Sequence, residues 1–297
     1  MEDKMRPAPA EEPIFGAPLP EPAGKPARKP FPTVGDLLAM LGIILGLQVL
    51  AGVVVTAAFW IAGRNVGALN PAQEGVFLAL TYLLSMVPAY VLVLLYRRMR
   101  GGRGPVGRFS MRGLNPVLLL WGCLFLGAAT VVCEPLLQCL PEPPEMPYGR
   151  GLWSVLSLVV AAPVLEELLC RGVILESLRS RYGVVFAWLV SSLFFGVLHL
   201  QPMLVVNAFI IGLILGFICI ASESLWASMV LHAFNNGVAY LVMTSGHADL
   251  RLSEWVGNPI LYEIIYIGAI VVTGLSAWKV WRKLRRLKNG TENEVSE

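Results

Sequence analysis

Seven stretches of this chain run for fourteen residues or more without a single Asp, Glu, Lys or Arg, and one of them divides in two, giving eight runs. Nothing else in the sequence limits the fold so tightly. They cover residues 37–63, 76–96, 114–133, 152–165, 183–200, 201–222, 224–246 and 264–278, with Gln201-Pro202 marking a turn between the fifth and sixth runs. A bilayer core of about 30 Å needs roughly 20 apolar residues at about 1.5 Å per residue. In lipid every backbone N–H and C=O must be satisfied within its own segment, so such runs must be helices. The reading is therefore an all-α, polytopic transmembrane bundle of about eight spans. The run 152–165 is too short to cross alone, so its helix is expected to continue through Glu166 to about Arg181. Charged residues make up only 14% of the chain, where a soluble domain carries roughly 25%. No internal repeat of the kind that marks many transporters is present.

Basic residues set the orientation. The loop 97–112 contains Arg97, Arg98, Arg100, Arg103, Arg108 and Arg112; the C-terminal segment contains Lys279, Arg282, Lys283, Arg285, Arg286 and Lys288; Arg179 and Arg181 follow the fourth span. The loops 135–150 and 247–259 carry one basic residue each. The positive-inside rule places the first group in the cytoplasm, which eight spans with both termini inside satisfy. Residues 1–33 contain nine prolines and are expected to form a disordered cytoplasmic tail. The bundle is expected over 34–281, with a basic-then-polar cytoplasmic tail over 282–297. The five cysteines show no metal-knuckle spacing and read as packing residues, with a Cys133–Cys139 bridge as the alternative. The bilayer is the expected environment, and nothing points to nucleic acid.

Several polar residues do not belong in lipid. Glu166, Glu167 and Arg171 interrupt the fourth span, each costing roughly 2.5–3.5 kcal/mol at a helix centre. Glu167 and Arg171 are four apart and can pair on one helix face. Glu166 lies about 100° round the helix and need not be consumed by that pair. An interhelical salt bridge without chemistry is the competing reading. Phe195 and His199 are four apart at the end of the fifth span, and His232 and Asn236 are four apart in the seventh. His247 lies in an outer loop and reads as solvated. Amide hydrolysis needs an activated water and donors for the developing oxyanion. A carboxylate, two imidazoles and an amide supply those parts. Counted along the spans, Glu166 and His199 lie about 22 and 24 Å from the cytoplasmic ends of their helices, but His232 only about 12 Å. Tilt, or a recessed turn between the sixth and seventh spans, would close that gap.

Glu-Glu-x-x-x-Arg at 166–171, Phe-x-x-x-His at 195–199 and His-x-x-x-Asn at 232–236 resemble, in that order, the motifs of the CPBP family. These are CAAX prenyl endopeptidases of the Ras-converting type and bacterial relatives linked to bacteriocin maturation or self-immunity. The resemblance covers roughly residues 150–245, the expected protease core. It implies a bundle of about eight helices and an intramembrane endopeptidase acting on a membrane-associated protein or peptide, with prenylated CAAX proteins among the candidates. It further implies Glu166 as general base, His199 as its partner at the water, and His232 with Asn236 as the oxyanion site, supported by Glu167, Arg171 and Phe195. Cofactor use stays open between none and zinc. The compact zinc motif HExxH is missing, yet Glu166, His199 and His232 could supply ligands from separate helices. A non-catalytic immunity or scaffold protein and an ion-coupled transporter are the alternative functions.

Overall fold

The computed structural model describes residues 31–102, 106–142, 148–246 and 251–294, with the side chains of 112 and 283–294 excepted. Most of the segment expected as a disordered tail, residues 1–30, lies outside the described residues, as does His247. All regular structure among the described residues is helical: α1 (Val34–Ile61), α2 (Pro71–Met99), α3 (Pro116–Leu137), α4 (152–182), α5 (Val184–Val197), α6 (Pro202–Ser222), α7 (Leu225–Thr244) and α8 (Pro259–Glu294), with a short turn of helix at Leu252–Val256 before α8. Helix starts follow local chemistry. Thr33 and Asp36 form a reciprocal capping box on α1, as Asn70 and Gln73 do on α2, and Asn115 caps α3 ahead of Pro116.

Five of these helices, α1, α2, α3, α6 and α8, are long and apolar enough to cross a membrane. The expected count of about eight rests on the other three. In α5 only 14 residues are helical, a rise of about 21 Å. Helix α7 has the length, but His232, Asn235 and Asn236 dilute its apolarity. Helix α4 carries Glu166, Glu167 and Arg171, and its helical type changes along the way. The helices that fall short as membrane spans are those that carry the polar motifs. The segment expected as a polar tail from 282 continues α8 as helix to Glu294. All five cysteines are free, so no Cys133–Cys139 bridge forms; Cys139 Sγ instead donates to the Pro135 carbonyl.

Helix α4 is α-helical at its ends and around 162–167, and π-helical over Leu156–Ala161 and Leu168–Leu175. In the first π stretch the Ala162 N–H bonds the Ser157 carbonyl, one residue further back than in an α-helix. The Leu158 carbonyl would next look to residue 163, which is proline and has no N–H. One backbone acceptor is thus left in the middle of the bundle. In the second π stretch every residue from Leu169 to Leu175 is buried, because α4 there is enclosed by α5, α7 and the first helices.

Helices α5 and α6 form the tightest pair. A Cβ at Gly196 would press on the Val205 carbonyl, and one at Gly216 on Trp188, so small residues set their approach. Trp188 Nε1 donates to the Leu213 carbonyl at 2.8 Å, and Ser191 Oγ stitches α5 to α4 through the Cys170 carbonyl at 2.8 Å. At the basic end, Asp36 is buried and receives Arg100 Nε at 2.7 Å and Tyr96 Oη at 2.8 Å, tying α1 to α2. Arg100 is in turn held more firmly protonated by its bond to the Asp36 carboxylate.

The α6–α7 turn is recessed under the loop 106–113. Phe109 and Ser224 form a β-bridge, Leu225 N–H bonds the Arg108 carbonyl at 2.8 Å, and Ser224 Oγ donates to the Ser110 carbonyl at 2.6 Å. Side chains at Gly107 and Gly113 would overlap Leu225 and Ser224, so glycine at these positions lets the loop seat on the turn. Arg108 closes the rim with an ion pair to Glu223 at 2.8 Å.

Candidate active site

The recess explains how His232 reaches the middle of α4 although it lies only two turns into α7. Gly172 lies against Leu225, and α4 runs on for a further ten residues beyond that level. Counting from the end of α4 therefore overstates the depth difference between Glu166 and His232.

Glu167 and Arg171 are fully buried and paired at 2.6 Å between Oε1 and Nη1. Arg171 Nη2 also donates to the Gly212 carbonyl of α6 at 2.8 Å, and its guanidinium lies 4.9 Å from the centre of the Phe195 ring. A side chain at Gly212 would crowd Phe195 and the Ser192 backbone, so glycine opens the acceptor that Arg171 uses. The Nδ1 of His232 lies 3.1 Å from Glu167 Oε1. An ionised carboxylate only accepts, so the imidazole donates there through Nδ1–H. This fixes the ring and turns Nε2 toward Glu166, 3.7 Å from Oε2.

Apart from His232, which both approach, Glu166 and its neighbour share no contact among the described residues. Its side chain is 14% exposed, against 0% for Glu167. Arg171 pairs with Glu167 and not with Glu166. Its Oε1 accepts a 2.9 Å hydrogen bond from the Tyr82 hydroxyl of α2. Tyr82 escapes sequence reasoning, because a tyrosine in an apolar span looks like any other interfacial or core aromatic. Its position depends on close packing of α2 on the start of α4, where a side chain at Gly75 would overlap Ser154.

His199 sits just past α5, with Nδ1 3.0 Å from the Phe195 carbonyl. A carbonyl can only accept, so the proton is on Nδ1 and Nε2 keeps a lone pair in the neutral ring. Phe195 is buried and touches both imidazoles edge-on, with ring centres 5.2 Å from His199 and 5.4 Å from His232. Asn236, one turn beyond His232, donates its Nδ2 to the Leu158 carbonyl at 3.0 Å. It thereby satisfies the acceptor that Pro163 and the π register leave open. Asn235 Nδ2 reaches Asn236 Oδ1 at 3.4 Å.

The sequence-derived residues thus form one connected set: Glu166 and Glu167 both meet His232, Phe195 joins His232 to His199 and Arg171, and Asn236 follows on the same helix. As a zinc site the set does not fit. Among the described residues no three His, Cys, Asp or Glu side chains gather closely enough to hold a metal ion.

Residues 148–238 match the family model of the type II CAAX prenyl endopeptidase Rce1-like proteins. The match takes in every residue of the three motifs. No match was found among curated proteins or among solved structures.

Proposed function

We infer the chemistry of this chain from the premise that it is an integral membrane protein of the CPBP/CAAX protease family, as its Rce1-like segment and apolar helices support. That family makes it an intramembrane endopeptidase of the CAAX type in general. Our proposal concerns the mechanism. Glu166 is the general base. It takes a proton from a water molecule, and the resulting hydroxide attacks the scissile carbonyl. His199, with a lone pair on Nε2, accepts a second hydrogen bond from that water. His232, as an imidazolium carrying a proton on each nitrogen, and the second N–H of Asn236 donate to the tetrahedral oxyanion. The proton held by Glu166 then passes to the leaving amine, and the C–N bond breaks. Glu167 and Arg171 hold His232 in position, and Tyr82 holds Glu166.

One observation carries this reading. Of two consecutive carboxylates inside the bundle, the fully buried one is neutralised by arginine, and the other, 14% exposed, faces an imidazole nitrogen at 3.7 Å without an arginine of its own. A group kept merely for interhelical pairing would hold a cation of its own, as Glu167 does.

The substrate is a membrane-associated protein or peptide, with prenylated CAAX proteins as one candidate class. Comparing host membrane proteomes with wild type and with Glu166→Gln tests this: uncleaved precursors should accumulate only in the variant. Identical proteomes would favour an immunity or scaffold role. Both termini are proposed to be cytoplasmic. Reporters fused at residues 1 and 297 should then signal the same side, opposite to one near residue 145. Signals on opposite sides would mean an odd number of spans.

A further inference from the structure

A second feature lies away from this cluster, at the basic end of the bundle, where α3 begins and α8 leaves its apolar stretch. There a cavity of about 450 Å³ opens between Asn115, Val117 and Trp121 of the α3 start and Lys279 and Arg282 of α8. We propose that this shelf binds the headgroup of an anionic phospholipid.

The cations are the first argument. Arg100, Arg108, Arg171 and Arg179 each pair with a carboxylate. Lys279 and Arg282 pair with none among the described residues, and the cavity lining contains no acid. They rest on aromatic faces instead. The Lys279 ammonium lies 5.5 Å from the Trp121 ring centre and 5.6 Å from that of Trp278, and the Arg282 guanidinium lies 4.7 Å from Trp278. Cation–π contacts orient a charge without neutralising it, so both remain available to an anion.

Asn115 supplies a further donor. Its Oδ1 is taken by the Val117 and Leu118 N–H groups, which leaves its NH₂ for a ligand. The positive pole of α3 points the same way. A phosphate is the anion that two cations and an amide donor recognise together.

Position argues for lipid over a soluble anion. The uncharged run of α8 ends at Trp278, immediately before Lys279, and tryptophans such as Trp121 and Trp278 are typical of the membrane–water boundary. Below the cations the wall is apolar. Val117 and Leu120 of α3 are 63% and 60% exposed, a surface suited to acyl chains.

The test is native mass spectrometry of the full-length protein titrated with phosphatidylglycerol, with phosphatidylcholine as the neutral control. Wild type should retain phosphatidylglycerol preferentially. Lys279→Ala/Arg282→Ala should weaken retention roughly tenfold to thirtyfold, as about 1 kcal/mol per basic residue implies. Arg285→Ala/Arg286→Ala should change it little. Equal loss in both double variants would mean diffuse attraction by the tail and would overturn the site. Equal retention of phosphatidylcholine, or displacement of the lipid by inorganic phosphate, would overturn the lipid assignment. If the first variant unfolds early, Lys279→Arg/Arg282→Lys decides. That swap keeps both charges, so retained phosphatidylglycerol supports the site and loss contradicts it.

Discussion

Glu166 and Glu167 are neighbours on one helix, yet the two sides of α4 they occupy are built to different ends. On the Glu167 side the ionic groups are paired, although Glu167 Oε2 and Arg171 Nε are buried without a hydrogen-bond partner among the described residues. Arg171 bonds the carboxylate and the Gly212 carbonyl, His232 gives its Nδ1–H to the same carboxylate, and Phe195 covers the guanidinium. On the Glu166 side the contacts are fewer and exchangeable: a tyrosine hydroxyl, an imidazole edge and partial exposure. Burying an ion pair costs desolvation that Coulomb attraction only partly offsets, so such a pair specifies geometry more than it stabilises. The geometry it specifies here is the orientation of His232 toward Glu166.

The largest effect on stability should come from breaking the closed side. Arg171→Ala leaves Glu167 buried without its cation, and removing one partner of a buried pair costs about 3–5 kcal/mol. Thermal unfolding in detergent should move down sharply, with turnover falling alongside. A stable but inactive Arg171→Ala would instead assign Arg171 to substrate binding. On the open side, Tyr82→Phe removes only the hydroxyl that holds Glu166. A hydrogen bond to a charged group contributes about 1.5–3 kcal/mol, so kcat should fall roughly tenfold or more while KM changes little. Unaltered kcat would remove Tyr82 from the machinery. A smaller effect on folding than at Arg171 is expected at Asn236→Ala. The Leu158 carbonyl loses its donor at a cost of about 1–3 kcal/mol, softened because the site is only half-buried. Its unfolding temperature should drop less than that of Arg171→Ala. An equal or larger drop would contradict the ranking.

Much of this arrangement was legible in the residues. The i,i+4 spacing of Glu167 and Arg171 anticipates their ion pair, and that of Phe195 and His199 anticipates their ring contact, because helical neighbours four apart share a face. The continuation of α4 through its charged residues follows from bilayer thickness alone. What stayed hidden depends on distant or irregular contacts. Pro163 is visible in the sequence, but the π register that makes it orphan the Leu158 carbonyl is not. The recessed α6–α7 turn is set by loop 106–113, more than a hundred residues earlier in the chain. The double engagement of His232 could not be read either, since Glu167 looked fully accounted for by Arg171. The short α5 shows where a run of uncharged residues misleads: 183–200 has the length of a span, but its helix stops at Val197 and the chain turns at His199.

The difference between the two sides is tested most directly by parallel Glu166→Gln and Glu167→Gln variants, purified and measured for both peptide cleavage and thermal unfolding. Loss of a general base typically costs about 10²–10⁴-fold in rate. Glu166→Gln should lose turnover on that scale with its unfolding temperature nearly unchanged, while Glu167→Gln should lose stability and turnover together. Near-normal cleavage by purified Glu166→Gln would contradict the account.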